Sequence, residues 1–224
     1  MNPGWNHDES PFHTGEQALQ ERAGVRGQME NFGRKVVRDY LPEQHRKFFE
    51  ALPYVFVGSV DDAGRPWASI LTGSVGFIES PAANRLTLSA TPLPGDPLAA
   101  NIRVGAALGL LGLEFSRRRR NRVNGRVTAV SDGAFELTVD QAFGNCPKYI
   151  QARSVEPATR NTSTATTLLT KPDTGTELDD ALTEFVSNAD TFFIATVNHD
   201  NTRIGGADVS HRGGSPGFVR VDRA

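Results

Sequence analysis

Residues 54–73 read YVFVGSVDDAGRPWASILTG, and this stretch decides the fold class. Tyr54 to Val60 is β-branched and aromatic, Asp61-Asp62-Ala63-Gly64 is turn chemistry, and Arg65 to Gly73 returns as a second extended run. Two such runs around a Gly-containing turn predict a β-hairpin. Downstream, Arg85 to Ala90 (RLTLSA) alternates and predicts a third strand, and Thr91 to Gly95 (TPLPG) predicts a loop. Asp96 then stands at an N-cap position, with Pro97 in the first turn of a helix through Leu98 to Ile102. Ala107 to Phe115 and Arg122 to Val130 predict strands joined across Arg117–Arg120, and Phe135 to Val139 predicts another. Hairpin, strand, short helix and long antiparallel strands argue for a mainly β chain, a small barrel or split barrel, rather than a doubly wound parallel sheet.

Upstream, residues 1–52 read as a helical N-terminal arm. Glu16 to Ala23 is rich in helix formers and stops at Gly24, Glu30 to Tyr40 carries apolar residues near helical spacing, and Pro42 opens a third helix through Phe48 and Phe49. The barrel unit then spans 53–153, and a Thr/Ser/Pro-rich linker spans 154–176. After a helix over Glu177 to Ser187, residues 177–224 repeat the first hairpin. Thr191 to Val197 (TFFIATV) matches Tyr54 to Val60, and Gly217-Phe218-Val219 matches Gly76-Phe77-Ile78. The offset is 137 residues at Phe56/Phe193 and 141 at Phe77/Phe218, so the second copy carries four extra residues. It is also partial: the first copy uses about 70 further residues to finish its sheet. A second sheet is therefore expected to be incomplete, completed by more chain or by another subunit.

The bulk numbers narrow the function classes. With 24 Lys and Arg against 26 Asp and Glu the net charge is −2, so a protein held to nucleic acid by bulk charge is not expected. One cysteine, Cys146, fits a reducing cytoplasm, where a buried inert thiol is its ordinary role. The start has no signal-peptide pattern, and the longest apolar run, Val104 to Leu113, is too short to span a bilayer, so no membrane contact is expected. Five histidines and one cysteine show no metal-ligand spacing. No Walker loop, dinucleotide fingerprint or nucleophile elbow occurs. The distribution of charge says more than its total. Seven arginines fall between Arg103 and Arg126 against Glu114, while Pro172 to Thr202 holds seven acids and no Lys or Arg. That pattern implies a local anion site, or two surfaces that meet.

The stretches FFEALPYVFVGSVDDAGRPWASILTG, RLTLSATPLPGDPLAANI, RRRRNRVNGRV and FGNCPKYI together resemble the FMN-binding split β-barrels related to pyridoxamine 5′-phosphate oxidase. GGADVSHRGGSPGFVRV resembles the hairpin of predicted flavin-nucleotide-binding members, and SPFHTGEQALQERAGV resembles the leader of tandem members. The resemblance implies FMN held in a cleft between two barrels, generally across a homodimer. It places the phosphate near Trp67, Ser69, Leu71 and Thr72, near Ser89 and Thr91, and near the helix reaching Asn101, with the strand from Arg120 to Gly125 beside the ring. The chain departs from true pyridoxamine phosphate oxidases at Thr72-Gly73 and Asp96-Pro97, where those carry basic residues, and it lacks their C-terminal Arg/His motif, so vitamin B6 chemistry is not implied.

Read as side chains, Arg120, Arg122, Asn124 and Arg126 alternate onto one face of their strand, with Val123, Gly125 and Val127 on the other. The polar face either lines a cleft or is solvated. Arginine planes suit phosphate and stack on a flavin ring. Asp96, itself anionic, reads as a helix cap, while Trp67 fits both a ring wall and a structural tryptophan. Ser210, His211 and Arg212 fit phosphate or substrate contacts, or a polar hairpin turn; His13 and Glu16 fit an ordinary helix N-terminus. The expected activity is that of an FMN-dependent oxidoreductase acting with a small-molecule substrate or electron donor. The alternative is a non-catalytic carrier of flavin, deazaflavin or heme.

Overall fold

The computed structural model describes residues 4–155, 175–200 and 202–222. Its N-terminal arm holds three helices: α1 (Thr14–Arg22), α2 (Arg26–Val36) and α3 (Glu43–Glu50). A capping box opens α1. The His13 ring accepts from the N–H groups of Gly15 and Glu16, and the Glu16 carboxylate accepts from the His13 N–H. Helix α2 begins four residues earlier than apolar spacing predicts, because Glu30 is clasped at 2.7 Å by both Arg26 and Arg34, one turn to either side. It also ends short of Tyr40. Val37 is extended, and Arg38 exchanges backbone hydrogen bonds with Ala142.

Seven strands follow: β1 (Tyr54–Val60), β2 (Pro66–Thr72), β3 (Ile78–Ala82), β4 (Arg85–Leu88), β5 (Ala107–Glu114), β6 (Arg119–Ser131) and β7 (Ala134–Gly144), with α4 (Leu98–Asn101) between β4 and β5. They form one antiparallel sheet in the order β2-β1-β5-β6-β7-β4-β3. The outermost strands of that order, β2 and β3, send Leu71 and Ile78 into the same buried cluster as Val55, Leu110, Val123 and Leu137. A flat sheet cannot bring its two edges to one core, so this one is curled around it. The mainly β split-barrel fold with a helical arm therefore stands as expected.

Details differ. The turn before β6 is two residues tighter than expected: Arg119 and Arg120 already pair with Glu114 and Leu113, and Arg118 takes a left-handed φ of 52°. Strand β3 escapes the alternation rule because it is short, carries Pro81 and lies at the sheet edge, where a missing N–H is tolerated. Cys146 is exposed rather than buried.

Beyond the linker, of which residues 156–174 lie outside the described residues, come α5 (Asp180–Asn188) and a hairpin of β8 (Thr191–Asn198) and β9 (Gly206–Gly213). Asp179 caps α5 by accepting from the Leu182 N–H at 2.7 Å. The hairpin lies on the outer face of the sheet. There Tyr54, Leu113, Phe115 and Ile150 form a second apolar cluster with Phe56, Ile70 and Phe193. The approach is close because Gly58 and Gly109, partners across β1 and β5, present no side chains: a Cβ on either would stand 2.7 Å from the backbone of Asp208 or Ala207. Among the described residues no helix is long and apolar enough to cross a membrane.

Gly109→Ala is expected to lose about 1–3 kcal/mol, the usual cost of forcing atoms into a filled contact. Urea denaturation reads the loss, and hydrogen exchange should place it first in the amides of 206–213. Unchanged protection there would show that the hairpin does not need the close approach.

Candidate functional site

Strand β6 keeps the alternation read from the sequence. Val123, Gly125 and Val127 are buried, while Arg120, Arg122, Asn124 and Arg126 face the other way and are half-buried. Strand β9 lies across that second face. The Arg122 guanidinium meets the Asp208 carboxylate at 2.8 Å through Nη1, and through Nη2 it donates to Ser210 Oγ at 2.6 Å and to the Val209 carbonyl at 3.1 Å. Its plane stands 5.5 Å from the centre of the Phe143 ring. Burial pushes the Asp208 carboxyl above its ordinary range, and Arg122 only partly opposes that. The same burial works against the Arg122 charge. Next to this pair, Arg120 donates through Nε to the Cys146 carbonyl at 2.8 Å, and its Nη1 lies 3.0 Å from His211 Nδ1.

That last contact fixes the histidine. A guanidinium has only donors, so Nδ1 must accept and the ring proton must sit on Nε2. Desolvation first, then the charges of Arg120, Arg212 and Arg153, hold the His211 pKa down at about 4. His211 is therefore a neutral ring whose buried Nε2–H has no partner.

Two cavities open from this cluster. One, of about 250 Å³, is lined by Leu111, Arg120, Arg122, Asn145 and the Ser210–Arg212 run. The other, also about 250 Å³, is largely apolar: Phe12, Met29, Phe32 and Val36 from the arm face Phe143, with Glu16, Asn124 and Asp208 among its polar residues. They share Arg122 and Asn145. Buried polar atoms without partners gather here: Arg122 Nε, Asn124 Oδ1, Asn145 Oδ1, Asp208 Oδ1 and His211 Nε2. Leaving such an atom unpaired costs about 1–3 kcal/mol each, and proteins rarely tolerate several together. Their concentration in one groove makes it the candidate site.

Of the residues singled out from the sequence, Arg120, Arg122, Asn124, Ser210, His211 and Arg212 come together here. The others do not join them. Leu71 is in the core, and Trp67 donates to the Asp61 carboxylate at 2.9 Å, which helps hold that acid down at about 2. Asn101 donates to Ser59 Oγ at 2.9 Å. Ser69 donates to Asp96 at 2.7 Å, and the same carboxylate oxygen accepts the Leu98 N–H at 2.8 Å. The anion at the start of α4 is thus the protein's own. Thr72, Ser89 and Thr91 are exposed and lie outside both cavities. Sequence reading missed the apolar slot made by the arm and Phe143. The one available signal was Glu16, which serves its cap and borders the slot as well.

The family model described as pyridoxamine 5'-phosphate oxidase matches residues 41–166. The chain belongs to that family. No curated protein matches it. Among solved structures it is similar to an FMN-binding protein from Syntrophomonas wolfei subsp. wolfei, at 10% identity over 60% of this chain and 98% of that one, TM-score 0.38. It is similar to HupZ of Group A Streptococcus at 10% identity over 46% and 93% of the two chains, TM-score 0.37. It is also similar to the FAD and heme binding protein from Mycobacterium smegmatis, at 13% identity over 65% and 95%, TM-score 0.32.

Neutral His211 gives this family member a testable pH response. Its folded pKa, about 4, lies below the ordinary 6.5, so its contribution is intact above pH 6.5 and is lost as the pH falls toward 4. Each pH unit across that window is worth about 1.4 kcal/mol, so the loss approaches about 3 kcal/mol. His211→Gln, which can still accept from Arg120, should show a flatter decline in urea midpoint from pH 7 to pH 4 than the parent chain. Equal slopes would show that His211 titrates freely.

Proposed function

We propose that the groove between β6 and β9 binds a phosphorylated flavin of the FMN type, and that the protein is a flavin-dependent oxidoreductase. One observation carries the reading: a cationic cavity and an apolar slot meet at Arg122 and Asn145. On the cationic side, Arg122 and His211 stand beside Arg120, Arg212 and the Ser210 hydroxyl. On the apolar side, Asn124 and Asp208 border a slot walled by Phe12, Phe32 and Phe143. A phosphate needs donors and positive charge. A flat ring with an imide N–H needs apolar walls and an acceptor. The residues present fit a molecule that is both.

A bound flavin would supply hydride-transfer chemistry, and the chain would supply placement and electrostatics. Arg122 lies where both cavities meet, so its charge reaches the ring side as well as the phosphate side. Asp208, paired to it, keeps the guanidinium plane fixed. Glu16, whose pKa burial raises, and Asp208 are the acids bordering the slot. Family membership agrees with this reading.

A flavin or deazaflavin carrier without catalysis would use the same groove. A heme reading finds less support in it. To ligate iron, His211 would have to present Nε2 without its proton, while Arg120 requires that proton to stay there.

Titration of the purified protein with FMN and with riboflavin tests the proposal. FMN should bind about 10- to 100-fold more tightly, as one to two charge-assisted bonds allow. Arg212, exposed and hydrogen-bonded through Nη1 to the His211 carbonyl, is the residue to change. Arg212→Ala should reduce FMN affinity several-fold and leave riboflavin unaffected. Equal affinity for the two flavins, or no binding of either, would overturn the assignment.

A further inference from the structure

The C-terminal segment repeats the first hairpin in more than sequence. Helix α5 starts 137 residues after α3, at Asp180 against Glu43. The pairing Tyr54↔Thr72 and Phe56↔Ile70 returns as Thr191↔Gly213 and Phe193↔His211, the register demanded by offsets of 137 and 141. The hydrogen bonds that close the unit return with the same offsets. Gly73 N–H donates to the Pro53 carbonyl at 3.0 Å, and Gly214 N–H to that of Asp190 at 3.0 Å. Gly76 N–H donates to the Glu50 carbonyl at 3.1 Å, and Gly217 N–H to that of Ser187 at 2.9 Å. Both latter glycines are left-handed, with φ of 94° and 89°. Phe77 and Phe218 each pack where a Cβ on the preceding Gly73 or Gly214 would stand.

The two units also touch in a particular way. Strand β1 contacts β9, and its counterpart β8 contacts β2, the counterpart of β9. Phe56 stacks on Phe193, its own equivalent, with ring centres 3.4 Å apart and planes 14° from parallel. Equivalent residues meet each other only at a two-fold axis, and reciprocal contacts are the mark of an isologous interface. A surface that only happened to hold a hairpin would show neither.

We infer that α5, β8 and β9 stand where the second subunit of a two-fold dimer would stand. The face formed by Tyr54, Phe56, Ile70, Leu113 and Phe115 is a self-recognition surface, and its partner is the chain's own partial repeat. The groove depends on this arrangement, since Asp208, Ser210, His211 and Arg212 come from the second unit and Arg120, Arg122 and Asn124 from the first. The inference itself rests on register and contacts, without regard to what the groove binds.

Two substitutions in the full chain separate the possibilities. Phe193→Asp undocks the hairpin but leaves the barrel face intact, so two barrels should pair through it. Its mass in sedimentation velocity or native mass spectrometry should double relative to the parent chain. Phe56→Asp also undocks the hairpin but spoils the face itself, so its mass should stay that of the parent, and the double variant should match it. Val209→Asp, at a buried hairpin position that the barrel does not share, should repeat the Phe193→Asp result if that variant is poorly folded. Asymmetry between the two single variants supports the inference. Identical masses for the Phe193→Asp, Val209→Asp and Phe56→Asp chains would overturn it, because a surface without self-affinity gains nothing on being vacated. Association through any other face is common to all of these chains and cancels in the comparison.

Discussion

A guanidinium held between two strands that lie far apart in sequence organises this protein. Arg122 spans from β6 to the carboxylate of Asp208, the hydroxyl of Ser210 and the carbonyl of Val209 on β9. Taking both charges out of water costs several kcal/mol for each ion, so the pair is weak evidence for net stability. What it provides is position. Separating Arg122 from Asp208 would leave each charge poorly hydrated and without its partner. The hairpin is thereby held at one place on β6, with Ser210 and His211 facing the cationic cavity and Asp208 facing the slot.

The apolar contacts and the polar ones divide the work. Phe193, Val209 and Ala207 supply the burial that docks the hairpin, and the paired glycines Gly58 and Gly109 let its backbone come close enough for arginines on β6 to reach. At that distance Arg120 also reaches His211, and a single contact settles the tautomer of the ring. The N-terminal arm completes the enclosure. Gln141 of β7 donates to the Pro11 carbonyl at 2.7 Å, and Arg203, in the turn between β8 and β9, bonds His7 at 2.9 Å. The arm is therefore tied both to the barrel and to the hairpin, and its Phe12 and Phe32 face Phe143 across the slot.

The barrel was legible because its signals are local. Alternation along residues 54–73 and 122–127 and the turn residues between β1 and β2 each report a property of a few neighbouring residues. Those signals fail where tertiary pairing overrides them. Strand β3 is disguised by Pro81, and α2 is shifted by the Arg26–Glu30–Arg34 ladder. The site was legible only in part, for a related reason. Arg120, Arg122 and Asn124 announce a polar strand face, and Ser210, His211 and Arg212 announce a polar hairpin, but nothing local says that these meet. The family resemblance also implied a phosphate near Ser69 and the start of α4. In space, Asp96 already occupies those donors.

Net charge is the clearest case of a total that hides its parts. A balance of −2 describes a nearly neutral protein, yet its arginines and acids face each other across the join between the two units. Arg122 meets Asp208 and Arg153 meets Asp190, both at 2.8 Å, and Arg203 approaches Glu9 of the arm at 3.6 Å. The uneven distribution along the sequence left two explanations open, an anion site or two surfaces that meet. The ion pairs show the second, and the cationic cavity beside them is where the proposed anion site falls. Two cavities that meet beside the Arg122–Asp208 pair are the physical reason to regard this join as the candidate groove rather than a seam.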